Sequence, residues 1–328
     1  MVEYTKPTPE YTGRFARELS SFLDEKRRTG HKYKAESYYL GTIDRLSVQM
    51  NTDSLSKEFV DLWTQKRGTE SHKTWQNRVI VIRQFARYLK AQEIPAYVTP
   101  IVIQNKRSSF VPHIYTDSEL RRIFEQADRC PAYVNCPNRN HVVSLLFRML
   151  YACGLRLSEV LNLTVADVDL ENGVLSILNS KNGTNRYVPM SDELAMRCLS
   201  YIKEIYSQPM PELPFFPAPD KGKYSKRAVS KTFHQILQSA GISRSDTGPR
   251  IHDLRHTFAV NCLKKWVREG KDITAALPVL SAYLGHKTLI GTQDYLRLTA
   301  EMFPEINSAV EARFGHVIPK GGSMYEEQ

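Results

Sequence analysis

Apolar residues recur every three to four positions in four segments near the start of the chain: Tyr11 to Lys26, Tyr33 to Met50, Ser56 to Lys66 and Ser71 to Gln92. That period is the repeat of an α-helix, so the spacing predicts a small domain of four helices. Asp53 and Ser54 supply a helix-start signal and Gly68 a break. Periodicity is lost from Ile94 to His113, where Pro95, Pro100, Pro112 and the run Lys106-Arg107-Ser108-Ser109 predict an interdomain linker. Thr116-Asp117-Ser118-Glu119 then reads as a capping-box start for the first helix of a second domain.

His141 to Tyr151 is a mostly apolar helix, after which the pattern changes. Gly173 to Leu178 and Arg186 to Met190, joined across Lys181-Asn182-Gly183-Thr184, predict a β-hairpin with an Asn-Gly turn. Helices resume at Asp192, Pro209 to Pro219 is a proline-dense loop, and the basic stretch Lys221 to Arg227 leads into another helix. A further helix starts near His252, and an amphipathic one is expected over about 301–314, before a polar tail. The expected fold is mainly α with a small β-sheet or hairpin, in two domains.

Composition agrees with two domains, because 328 residues exceed one core of ordinary size. The formal net charge is +10, with the basic excess spread along the chain, which suits a surface that meets a long polyanion. Five cysteines form no even framework and the N-terminus is polar, so a reducing cytoplasm is expected. No apolar run is long enough to span a membrane. Cys130, Cys136 and His141 match no common zinc spacing, and an ordinary loop is expected there rather than a metal site.

His252 and Arg255 stand three residues apart at a helix start, which puts an imidazole and a guanidinium on one face. Arg156, in Gly154-Leu155-Arg156-Leu157-Ser158-Glu159, sits among apolar residues, where an arginine is costly without an anionic partner. Arginine holds phosphate oxygens in a planar fork, so Arg156 and Arg255 can clamp one phosphate between them. Lys181 stands at the hairpin tip, able to donate a proton to a leaving alkoxide, and His286 follows Gly285 at a tight turn. Tyr295 is one of 17 tyrosines, but cations beside it would favour its phenolate and make it a nucleophile that needs no metal.

Gly154 to Glu159, His252-Asp-Leu-Arg-His-Thr-Phe258, and Leu284-Gly285-His286 followed nine residues later by Tyr295 stand in the order of three known motifs, with Lys181 between the first and second. In these the chain resembles the tyrosine recombinases, also called the phage integrase family. The resemblance covers about 113–315 by motif and about 9–100 by architecture. It implies a helical, SAM-like core-binding domain over 1–100, a linker over 101–113, a catalytic domain over 114–315 and a tail over 316–328.

By the same resemblance, Arg156 and Arg255 would hold the scissile phosphate and Lys181 would protonate the 5′-hydroxyl leaving group. Lys203 and Arg186 are other candidates for that proton donor, and the Asn-Gly turn favours Lys181. His252 would assist proton transfer from the nucleophile, His286 would hydrogen-bond the phosphate, Glu159 would orient the site, and Tyr295 would form a 3′-phosphotyrosyl link. The implied partner is double-stranded DNA with specific sites; no cofactor, metal or ATP is called for. Family members assemble four protomers and exchange strands through a Holliday junction. The apolar stripe Met302, Phe303, Ile306, Val310 and Phe314 would then dock into a neighbouring protomer, unless it packs on its own domain. Integration or transposition of a mobile element is the expected task, with chromosome dimer resolution the alternative. Only about nine residues precede the first helix, which disfavours the larger phage-type integrases. A type IB topoisomerase shares the chemistry, but the wording of the first two motifs favours a recombinase. A DNA-binding regulator with a vestigial site is disfavoured by the intact set of six residues.

Overall fold

The structure, a computed structural model, describes residues 10–100, 111–178, 185–243, 245, 248–286, 288, 289, 291, 292, 295 and 296. It divides into two compact units, Met1–Ser108 and Ser109–Gln328.

The first unit is built from α1 (Ala16–Arg28), α2 (Lys34–Gln49), α3 (Lys57–Thr64) and α4 (His72–Ala91). Their apolar faces meet in a core that includes Leu19, Phe22, Leu40, Ile43, Phe59, Ile82 and Phe85, with Phe15 edge-on to both Phe59 and Phe85. The start of α3 is set by Ser56, whose hydroxyl accepts the Phe59 N–H, and not by the Asp53-Ser54 signal. Leu55 explains the shift: it is drawn into the core as a bridge partner of Ala96, and helical geometry can begin only after it. Asp44 on α2 is buried, and its carboxylate accepts the N–H groups of Thr12 and Gly13 just before α1.

The second unit opens with α5 (Asp117–Asp128), held by a complete capping box between Thr116 and Glu119. It continues through α6 (Arg139–Ala152), the single turn α7 (Leu157–Val160) and a three-stranded antiparallel sheet, β1 (Val168–Asp169), β2 (Val174–Ile177) and β3 (Arg186–Pro189). Leu175 pairs with Val188 in register, and both are buried. The sheet thus has one strand more than the expected hairpin, because two residues of β1 are too short to show an alternating pattern. After the sheet come α8 (Asp192–Ile205), α9 (Lys226–Ser239), α10 (Asp253–Arg268) and α11 (Ile273–Leu284). A large core centres on α6, and a smaller one joins α10 and α11 with Tyr295 and Leu296. Lys181 and the expected helix over 301–314 lie outside the described residues. No described helix is long and apolar enough to cross a membrane.

Candidate active site

The site is assembled around the C-terminal end of α11. A helix leaves its last carbonyls without intrahelical partners and carries a partial negative charge there. Gly285 ends α11 at φ +67, and a side chain at that position would run into Arg186. The three carbonyls at this end each accept from a different arginine. Arg186 Nε donates to Tyr283 O at 2.7 Å, Arg255 Nη2 to Leu284 O at 2.6 Å and Arg156 Nη2 to Gly285 O at 3.0 Å.

These three guanidinium groups share one carboxylate. Glu159 accepts from Arg156 Nη1 at 2.8 Å and from both Nη atoms of Arg186 at 3.1 and 2.8 Å, and lies 4.0 Å from Arg255 Nη1. It also accepts the Arg156 backbone N–H, which closes the first turn of α7. Burial opposes its charge, but the bonds from Arg186 and Arg156 win, and the pKa is lowered to about 2. One carboxylate against three guanidinium groups leaves an excess of positive charge, which suits an anion. Arg255, 1% exposed, also donates from Nη1 to Gly154 O at 2.7 Å. Gly154 turns at φ +56 with the Phe258 ring against its Cα, so any side chain there would clash. Burial lowers the Arg255 pKa to about 10 against the raising effect of Tyr295 and Glu159, and the group stays cationic at neutral pH.

Histidines line the same cluster. His286 Nε2 lies 3.1 Å from Arg255 Nη2 and its Nδ1 is 2.8 Å from Thr292 Oγ1. Since a guanidinium only donates, Nε2 accepts and the imidazole proton sits on Nδ1, toward Thr292. Burial, then Arg255, Arg156 and Arg186, lower its pKa to about 4. His252 stands at the N-cap position of α10, exposed at the residue level, and its pKa too is lowered, by desolvation and then by Arg255 and Arg156. Tyr295 is 4% exposed; its ring stacks beside His286, and its hydroxyl lies 3.1 Å from His256 Nδ1.

The fold therefore brings Arg156, Glu159, Arg255, His286 and Tyr295 into one cluster, with His252 beside it through His256. Three participants went unread in the sequence: His256, Thr292 and Arg186, the last weighed only as a proton donor. Arg186 and Val188 share the inward face of β3, and His256 follows His252 by one helical turn, so both signals lay in the spacing. Elsewhere, Cys130 accepts from Arg139 and Cys136 meets the Tyr224 hydroxyl. Among the described residues no group of three or more His, Cys, Asp or Glu side chains is placed to hold a metal.

Three comparisons bear on this geometry. A model of the phage integrase family matches residues 115–302, more than half of the chain. A Sinorhizobium fredii protein named integrase/recombinase y4rB is 28% identical over 309 residues, covering 92% of this chain and 98% of its own length. The tyrosine recombinase XerA of Thermococcus kodakarensis is 26% identical over 284 residues, covering 87% of this chain and 90% of its own. Among solved structures, the site-specific recombinase XerH, bound to palindromic difH substrate in a post-cleavage complex, shares the fold with a TM-score of 0.61. That likeness spans 89% of this chain and 84% of the other at 20% identity.

Proposed function

The chain belongs to the phage integrase family, the tyrosine recombinases, and on that premise we propose that it cleaves and rejoins DNA through a 3′-phosphotyrosyl link made by Tyr295. The observation that carries this reading is the placement of a buried tyrosine beside a cluster where three guanidinium groups share one carboxylate. Arg156 and Arg255 hold the scissile phosphate with the N–H donors that their carbonyl and carboxylate bonds leave over. The same charges stabilise the pentacoordinate phosphorus, at about 3 to 4 kcal/mol per well-placed donor. Once the phosphate takes the Arg255 donor, His286 carries its proton on Nε2 and donates it to a phosphate oxygen, Glu159 and Arg186 keep the clamp in register, and Lys181 protonates the departing 5′ oxygen. The bond energy of the broken phosphodiester is kept in the phosphotyrosyl link, so a 5′-hydroxyl from another strand can reverse the step without ATP.

Residues 1–100 serve as a core-binding domain that closes on the DNA, 101–113 as linker and 114–315 as the catalytic domain. Arg45, Lys66 and Arg67 line one groove of the helical unit and offer phosphate contacts. Four protomers assemble on two sites, with the 301–314 segment docking into a neighbour, and exchange strands through a Holliday junction in the cytoplasm to integrate or transpose a mobile element. The test is covalent capture on a library of nicked duplexes with a randomised core. Wild type should yield a 3′ adduct that survives denaturation and disappears in Tyr295→Phe, while binding persists. An adduct retained by that variant would sink the assignment. Recombinant product between two copies of the captured site separates a recombinase from an enzyme that only nicks and reseals.

A further inference from the structure

Resting on the recombinase reading, we propose that His256 receives the phenol proton of Tyr295 as the tyrosine attacks. His256 belongs to none of the roles assigned above, yet among the histidines of the cluster it is the one hydrogen-bonded to the nucleophile's hydroxyl, Nδ1 to Oη at 3.1 Å. Its ring lies tilted against that of Tyr295, with centroids 5.5 Å apart. His252 stands one helical turn earlier on the same face of α10, edge-on to His256 at 4.8 Å and exposed. The two histidines of the His252 to Phe258 segment are thus arranged in series, with His256 toward the tyrosine and His252 behind it.

The chemistry follows from that order. When Tyr295 donates, neutral His256 carries its own proton on Nε2 and presents the Nδ1 lone pair to the phenol. As Oη bonds to phosphorus and the bond from phosphorus to the 5′ oxygen breaks, the phenol proton passes to Nδ1 and the leaving oxygen takes a proton from the general acid, assigned to Lys181. Resealing runs the same transfers backwards, so protons and electron pairs balance. Before DNA arrives, burial together with His252, Arg255, Arg250 and His286 holds the His256 pKa at about 3, so the ring is a neutral acceptor but a weak base. A phosphodiester anion seated among the arginines offsets their charge and raises the basicity of the ring. The phosphate thereby favours activation of the nucleophile that attacks it.

Single-turnover capture on nicked DNA selected with wild type tests this. His256→Ala should form adduct about 100-fold more slowly, the range of a lost general base, with DNA affinity and circular dichroism unchanged. His256→Asn places an amide where Nδ1 was and can hold the hydroxyl but cannot take its proton, so it should stay slow. Wild-type or faster rates in either variant, with Tyr295→Phe inactive, would overturn the inference and leave the recombinase reading standing. No adduct from wild type on any DNA would overturn the reading and the proton transfer with it. A second measurement needs no DNA: the Cζ resonance of labelled Tyr295, identified by its loss in Tyr295→Phe, should move in His256→Ala. An unmoved resonance means no hydrogen bond and refutes the proposal.

Discussion

Two arginines are each 1% exposed, Arg78 in the helical unit and Arg255 in the second, and their partners are of different kinds. Arg78 forks onto Glu70, Nε to Oε1 at 2.7 Å and Nη2 to Oε2 at 2.8 Å. It also donates to the carbonyls of Trp63 and Gln65, with its guanidinium 4.7 Å from the Trp63 ring centroid. Its charge is matched by a carboxylate of its own, and the group fastens the connection between α3 and α4. Arg255 instead bonds two carbonyls and an imidazole, and its nearest carboxylate is shared with Arg156 and Arg186. A buried cation held by neutral dipoles keeps its appetite for an anion, whereas a buried cation with its own carboxylate does not. Burial alone therefore does not mark a functional arginine; the charge of its partners does.

Truncating each arginine separates the two kinds. Arg78→Ala strands the Glu70 carboxylate in the core and should lower stability by about 3 to 5 kcal/mol, the usual result of breaking a buried pair. Urea unfolding followed by Trp63 and Trp75 in a Trp266→Phe background reads that unit by itself, and an unchanged midpoint would show that the pair is not a clamp. Arg255→Ala removes a charge with no private counter-ion and should slow adduct formation about 100-fold or more while urea stability drops less than in Arg78→Ala. The reverse ranking of the two stabilities would erase the distinction.

Acid gives a smaller effect. In the folded second unit His256 and His286 are held at about 3 and about 4, whereas an unfolded imidazole takes up its proton near about 6.5. Between those values the unfolded chain binds more protons, so stability falls as pH drops from about 6.5 to about 4. Glu159, at about 2 when folded, adds a stabilisation present above the ordinary carboxylate range and lost as pH falls from that range to about 2. In the first unit the Glu70 carboxylate, lowered by Arg78, also loses its contribution only below that range. At pH 5 the unfolding midpoint seen by Trp266 should therefore have moved down relative to pH 7 more than that seen by Trp63 and Trp75. Equal movement would refute buried neutral histidines as the source.

The helices were legible in the sequence because an apolar stripe at helical spacing has one economical burial. The expected segments Tyr33 to Met50 and Ser71 to Gln92 correspond to α2 and α4 within a residue at each end. The expected segment Ser56 to Lys66 begins at the N-cap of α3, but its cap signal was placed too early, because Asp53-Ser54 satisfies the local rule while the long-range pairing of Leu55 with Ala96 decides. For Arg186 the alternation of β3 gave the inward face but not the role: an arginine in a strand reads as solvated until the carboxylate and helix end that neutralise it are brought alongside.

What the sequence determined by itself is the periodic and the motif-borne content: two units, the helix faces, the sheet segments and the residue types in three ordered motifs. Those are local, since spacing along one element sets which side chains share a face. Only the tertiary structure decided that three arginines from a turn, a strand and a helix meet three consecutive carbonyls at one helix end, and that His256 reaches the tyrosine. These contacts join residues up to 129 positions apart. Their partners are backbone groups and shared charges, which no residue type announces and which acquire meaning only when the core packing puts them within hydrogen-bond reach.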